Sequence, residues 1–446
     1  MASRHRTKII NPKAIMKISF GKTVISPAIG TPVAGYGPHD VSYAKLDDLY
    51  ATALALDDGS SKGVIISFDL VGVDAANIQR IRRSCAKLFN GDESQVIVSC
   101  THTHSGPNCR MLAGYPQVFE KEYVEQLIKT TAKLVKSVLA GKWIDTSVFV
   151  CSLDCDANTN RRFVTKNNRA SFLPHRRDME RIADGICDKE VGMLCFVDKE
   201  TNDPAYIIGN FAAHPLAGHA PGLGGHRISA DYPGAFRRYI ESETGAGCMF
   251  LSGAAGDMVP KWDETGIAAI NDMGTRLAQT VIASIIIATR DKNSYMLQNE
   301  TMQFGFEHAT RPVRPFRKNA LHTIYKGKDE ITYEMQLFSI GDICLIGVPG
   351  EVVAELGLEM KWHSPFRKAF VLYCSTGYMD YLCHGNALVA GGYEGHEQWT
   401  DSRTGLALVN AAVDGMYKLY ERTFPDKSKW PENISMPLVS IVNTHN

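Results

Sequence analysis

The β-branched run Val96-Ile97-Val98-Ser99-Cys100 leads into Thr101-His102-Thr103-His104, and Ser105-Gly106-Pro107 then breaks the extended pattern. Histidines at i and i+2 of an extended segment leave it on the same side of the pleat. Two imidazoles at a strand end, rigid yet beside a turn, suit a catalytic metal such as zinc. The plainer alternative is a pair of histidines sharing a polar face. Further reactive groups stand just past other strand-like runs. His214-Pro215 follows Ala205 to Ala212, and Glu351 follows the buried run Ile343 to Val348 through Pro349-Gly350, on the first turn of an expected helix. An acidic residue there is also what a helix dipole favours without any chemistry. Arg161 belongs to a polar loop, Asp156-Ala157-Asn158-Thr159-Asn160-Arg161-Arg162, where a simple salt bridge would account for it equally well.

The elements that must position these groups alternate. Strands are predicted at Met16 to Ser26, Leu49 to Leu56 and Gly63 to Phe68, the last two joined by the turn Asp57-Asp58-Gly59. A helix over Ala75 to Phe89 precedes the histidine strand. From Glu120 to Leu139, Val124, Leu127, Ile128, Ala132, Val135 and Val138 recur at helical spacing. Strands at Thr146 to Cys151, Glu190 to Val197, Cys248 to Ser252 and Phe370 to Cys374 interleave with helices opening near Asp231, at Ile267 and at Thr404. The class is therefore α/β, with mixed β-sheets and flanking helices. Open α/β sheets place their sites at strand ends, where these groups lie. If they share one site, residues 16–446 form a single large domain. Residues 1–15, basic and polar, read as a disordered or non-native extension, with Met16 as a candidate start.

Composition narrows the partners. The 446 residues carry 48 basic and 48 acidic side chains, so no nucleic-acid partner is implied. The most apolar run, Val281 to Ala288, is far short of the roughly 20 residues of a spanning helix, which argues against stable membrane insertion. Eleven cysteines, an odd number set mostly in apolar runs, fit reduced thiols and a cytoplasmic location. The basic stretches 166–181 and 311–328 read as solvated loops or as contacts for an anionic substrate. Composition leaves room for a homo-oligomer.

The order of motifs resembles the catalytic domain of the neutral/alkaline, non-lysosomal ceramidases. The resemblance runs from about Gly21 to Gly395. It rests on Val33-Ala34-Gly35-Tyr36, Leu56-Asp57-Asp58-Gly59, the His102/His104 segment, Asn158 to Arg162, Phe211-Ala212-Ala213-His214, Ser229 to Gly234, Gly256-Asp257, Pro349-Gly350-Glu351, and the Tyr378 to Tyr381 stretch followed by Tyr393-Glu394. It implies one Zn²⁺ per chain held by His102, His214, Glu351 and Tyr381, with His104, Arg161 and Tyr393 handling substrate. Tyr381 and Tyr393 keep the twelve-residue interval expected between the ligand tyrosine and its partner. The family's Gly-Asp-Val-Ser-Pro reads Gly256-Asp257-Met258-Val259-Pro260, so no serine nucleophile stands there. The family's immunoglobulin-like C-terminal domain, mucin-like stalk and secretion signal are also not expected here. The implied activity is hydrolysis of a linear amide by a zinc-activated water, with water acidity shifted to about 7, on a small soluble substrate rather than ceramide. In that scheme Tyr393 and Arg161 face the oxyanion and His104 passes a proton to the leaving amine. A zinc-dependent ester or lactone hydrolase and a non-catalytic binding protein on the same fold remain as alternatives.

Overall fold

Eight extended segments, most of them apolar and buried at nearly every position, build a large sheet. They are Met16–Val24 (β1), Tyr50–Asp57 (β2), Lys62–Phe68 (β3), Val96–Cys100 (β4), Ile144–Asp154 (β5), Glu190–Asp198 (β6), Pro204–Phe211 (β7) and Gly247–Ser252 (β8). The computed structural model describes residues 16–35, 40–110, 121–165, 170–171, 181–218, 227–261, 266–297, 304–313, 331–398, 400 and 402–430. The expected extension 1–15 and most of the two basic stretches lie outside these. Spatial order is β8-β7-β6-β5-β1-β2-β3-β4. The outer pairs, β7 with β8 and β3 with β4, are parallel, and the pairs between them are antiparallel. The sheet is thus mixed, with parallel pairs only at its two edges.

A four-stranded sheet faces it, formed by Phe304–Val313 (β9), Ile331–Ile340 (β10), Ile343–Gly347 (β11) and Lys368–Leu372 (β13). Between β11 and β13 the chain forms the two-residue strand Glu351–Val352 (β12), which pairs in parallel with Tyr381–Leu382 (β14). Side chains alternate across each strand, so Ile18, Leu54, Ile65, Ile97 and Leu194 meet Phe338, Leu345 and Phe370 in a core between the two sheets. The other face of the large sheet is covered by helices. Ala75–Ala86 (α1) and Lys121–Ala140 (α2) pack there with Ala53, Ile66 and Val98. Asp231–Thr244 (α3) and Ile267–Arg290 (α4) pack with Met193, Ile207 and Phe250. Ala354–Trp362 (α5) follows β12, Gly385–Ala390 (α6) and Tyr393–Glu397 (α7) follow β14, and Thr404–Thr423 (α8) lies on β9 and β10.

The large sheet twists until its two edges meet. Ser67 Oγ at the end of β3 donates to the Phe250 carbonyl of β8 at 2.8 Å, and Ser252 Oγ donates to the Thr101 carbonyl just past β4 at 2.7 Å. Twist of constant hand brings distant edge strands together in this way. It also brings the residues after β4 against those after β7. No described helix is long and apolar enough to cross a membrane, and all eleven cysteines are free thiols, ten of them buried.

Candidate metal centre

His102 and His214 meet because those two edges meet. Beyond β4, Thr101 N and His102 N still donate to Phe68 O and Leu70 O, at 2.8 and 2.9 Å. The strand itself stops at Cys100, and His102 has φ +70°. The expectation that the pleat carries His102 and His104 to one side is therefore corrected. A left-handed residue reverses the chain locally, and the two rings converge through a turn, with centroids 4.9 Å apart. Thr103 Oγ1 pins the turn by donating to Ser229 O at 2.7 Å. His214, three residues past β7, is 4.9 Å from the His102 ring and 5.6 Å from the His104 ring. One ring nitrogen from each of the three lies within 4.8 Å of the others.

Glu351 closes the group. It lies in β12 opposite Tyr381, and α5 begins only at Ala354, so its expected place on a first helical turn is also corrected. Gly350 is the reason: a Cβ there would stand 2.5 Å from Asp380 O, and this close approach lets Glu351 N donate to Asp380 O at 2.8 Å and enter the ladder. The start of α5 is capped from elsewhere, by Asp257 Oδ1 accepting Ala354 N at 2.8 Å. Asp257 Oδ2 accepts from Asn160 Nδ2 at 2.8 Å, so this carboxylate orders the chain around the site. Burial pushes its pKa up to about 6.

The hydrogen bonds assign the ring nitrogens. His102 Nδ1 is 2.5 Å from Val71 O, and His214 Nδ1 is 2.7 Å from Ala255 O, so each Nδ1 is the protonated donor. Both Nε2 atoms are then lone-pair bearers. They face opposite oxygens of one carboxylate, His102 Nε2 at 3.4 Å from Glu351 Oε1 and His214 Nε2 at 3.1 Å from Oε2. All three side chains are buried, and His102 Nε2 makes no hydrogen bond. A buried imidazole lone pair with no donor is costly unless an ion or proton satisfies it. Backbone carbonyls behind ligating imidazoles are the usual means of fixing a ring for a metal. The donor set fits zinc.

Charge agrees with that fit. Burial opposes ionisation of Glu351, but the two histidines outweigh it and hold its carboxyl well below the ordinary range. Burial, then Arg161, bring His214 down to about 4. Burial, then the neighbouring imidazoles, bring His104 well below its ordinary value. At neutral pH Glu351 is thus a carboxylate beside neutral His104 and His214 rings, the protonation state in which these groups bind a metal.

Two phenols flank Glu351. Tyr378 donates directly to Glu351 Oε1, lies nearly parallel to His102 at 6.4 Å, and carries Arg110 over its ring at 4.3 Å. Tyr381 points its oxygen to Arg161 Nη2, which donates to it at 2.9 Å. Arg161 is held by Glu394 Oε1 at 2.6 Å and Gly256 O at 2.8 Å, and Glu394 Oε2 also accepts from Arg162 at 2.9 Å. Tyr393, 40% exposed, sits 5.4 Å from the Tyr381 ring at the outer end of this row.

The architecture matches two solved structures. The neutral ceramidase from Pseudomonas aeruginosa superposes with a TM-score of 0.77 at 18% identity, over 92% of this chain and 75% of that one. A ceramidase complexed with C2 gives 0.74 at 18% identity, over 92% and 76%. The fold is ceramidase-like. No family model matches the chain, and no curated protein does.

Within that fold, the structure brings His102, His104, His214, Glu351, Arg161, Tyr381 and Tyr393 together around one locus. Sequence reasoning misses Tyr378, because the twelve-residue interval to Tyr393 points to Tyr381 instead. It also misses Glu394, which follows Tyr393 in a quoted motif and is the buried anion that both Arg161 and Arg162 require. Tyr373 is missed as well. Its ring lies 4.9 Å from His102, and its hydroxyl is buried with no hydrogen-bond partner.

Proposed function

We propose that the protein is a zinc-dependent hydrolase of a linear amide, acting on a small soluble N-acyl substrate rather than on ceramide. The observation that carries this reading is the pair of Nε2 atoms set on the two oxygens of Glu351, each ring fixed from behind by a carbonyl. His102, His214 and Glu351 would hold one Zn²⁺, with a phenol oxygen as the fourth ligand. Spacing favours Tyr381 and geometry favours Tyr378, the phenol already seated on the carboxylate. Zinc held there supplies Lewis-acid polarisation of a carbonyl and a water acidic near neutrality.

The remaining groups divide the work. His104, half-buried beside His102 and His214, is the proton carrier toward the leaving nitrogen. Tyr393, at the exposed end of the row, is the hydroxyl donor to the developing oxyanion, a role that can contribute about 3 kcal/mol. Arg161 acts through Tyr381, since its guanidinium is spent on Glu394, Gly256 and the phenol oxygen. Val259 is buried in an antiparallel pair with Thr159 where the resembled family has its serine, which supports attack by water rather than by a side chain. Eleven free thiols support a reducing compartment such as the cytoplasm.

Zinc content of the purified protein tests the reading, with His102→Ala and Glu351→Gln alongside. One zinc at this locus, absent from both variants, and turnover of N-acyl amides are the expected results. Turnover of esters or lactones alone would reassign the reaction, and a locus that takes up no zinc would leave a binding protein.

A further inference from the structure

Four arginines are buried among the described residues, and three of them face a carboxylate. Arg82 pairs with Glu334 at 2.7 Å, Arg161 with Glu394 at 2.6 Å and Arg237 with Asp69 at 2.5 Å. Arg110, 4% exposed, has no such partner among the described residues. Its guanidinium lies over Tyr378, with Cζ 4.3 Å from the ring centre, and its one side-chain hydrogen bond runs from Nε to Asn108 Oδ1 at 3.3 Å. Nothing among the described residues accepts from Nη1 or Nη2, and both keep access to solvent. Burial opposes the charge, while Tyr378, Glu351 and Asp380 outweigh burial and hold the guanidinium protonated. Neither carboxylate forms an ion pair with it, and the Glu351 oxygens already face His102, His214 and Tyr378. A charge largely withdrawn from water without a counter-ion is costly. Two open Nη donors in one plane match the two oxygens of a carboxylate.

The place of Arg110 decides which part of a substrate would meet it. Cys109 O accepts from Asp74 N at 3.3 Å and Arg110 O from Asn108 Nδ2 at 3.0 Å, which fixes the backbone. Gly72 makes room for the stack on Tyr378, since a Cβ there would stand 2.7 Å from the phenol ring and 3.3 Å from Arg110 Cδ. One phenol thus separates the guanidinium from Glu351. Behind burial, the two imidazoles and Glu351, Arg110 also acts on His104, so it faces the proton carrier for the leaving nitrogen. We infer that Arg110 receives a carboxylate borne by the leaving amine, which makes N-acyl amino acids the substrate class. This rests on the amide hydrolysis proposed above. Water would add its oxygen to the acyl carbon as the C–N bond breaks, and the nitrogen would leave with a proton, giving a carboxylic acid and a free amino acid.

Two non-hydrolysable probes isolate the carboxylate: N-pentylsulfonyl-L-alanine, and N-ethylpentanesulfonamide, which lacks only that group. Calorimetric titration into the purified full chain is expected to show at least about tenfold tighter binding of the first. Arg110→Gln should bind the two alike, and Arg110→Lys, which keeps the charge without the fork, should recover part of the difference. Equal binding by wild type overturns the inference without any variant. So does a preference that survives in Arg110→Gln. Turnover separates the inference from the reading beneath it. Wild type is expected to favour N-hexanoyl-L-alanine, by a similar margin in kcat/KM, over N-ethylhexanamide and over N-ethyladipamic acid, whose carboxylate lies on the acyl side. Equal turnover of all three keeps amide hydrolysis and overturns the carboxylate, and a preference for N-ethyladipamic acid overturns its placement on the amine. Arg110-dependent binding of the sulfonylalanine with no turnover of any amide refutes the hydrolase and leaves Arg110 as the carboxylate site.

Discussion

Gly35 and Gly30 make a matched pair for testing the role of His104. Both have left-handed backbone, φ +92° and +94°. A Cβ on Gly35 would stand 2.2 Å from His104 Nδ1, whereas nothing lies within 4 Å of a Cβ on Gly30. Each alanine substitution therefore carries the same backbone cost, about 1–2 kcal/mol for an L-residue in this region. Only Gly35→Ala also forces the imidazole to retreat, by roughly 1 Å, and a displacement of that size in a catalytic group can lower turnover about 100-fold. Urea denaturation, zinc content and turnover of an N-acyl amide would be measured on both variants. The expected result is equal loss of stability, zinc retained in both, and turnover lost in Gly35→Ala alone. Equal turnover in the two variants would refute His104 as the proton carrier. Loss of zinc from Gly35→Ala would make His104 a ligand.

Tyr378→Phe is expected to weaken zinc affinity at least tenfold and Tyr381→Phe to leave it near wild type; the reverse order, read by competition with a chelating dye, returns the fourth ligand to Tyr381. Glu394→Gln leaves the buried Arg161 charge and the half-buried Arg162 charge without their anion, so stability should fall by about 3 kcal/mol in urea titration, and a loss under about 1 kcal/mol would show that the cluster is not needed. Asp257 has a folded-state pKa raised to about 6 from 3.8, so its protonated form stabilises the fold fully below pH 3.8 and that contribution disappears as pH rises through 6. Asp257→Asn should therefore gain stability relative to wild type between pH 4 and 6.5, and parallel pH profiles would contradict the assignment.

Much of the scaffold is legible because strands covered on both faces read as short, near-continuous apolar runs. The strands before His102 and His214 stand where such runs place them, and the helix over Val124 to Val138 where 3.6-residue periodicity does. The site is legible as a set of residues and less so as a geometry. The turn at His102 follows from a single left-handed residue, which no periodicity encodes. Glu351 joins a strand because Gly350 permits a backbone approach to Asp380, a contact with a segment thirty residues on. Tyr378 and Tyr381 are separated by packing alone: one stacks beside His102 and the other faces Arg161. Glu394 is invisible for a similar reason, since its two cations arrive from a loop more than two hundred residues earlier in the chain.

The meeting of the large sheet's edges bears on when the locus comes into being. His102 is delivered early in the chain, His214 at its middle, and Glu351 only when β12 finds β14. Contacts of such long sequence separation form late, after the loops between them have been closed. A chain still emerging from the ribosome can build β1 to β4 and carry His102 exposed, but it has no carboxylate to set against it. The assembled locus therefore marks completed folding, and a cation that needs all three groups is captured by the finished protein rather than by its nascent fragments.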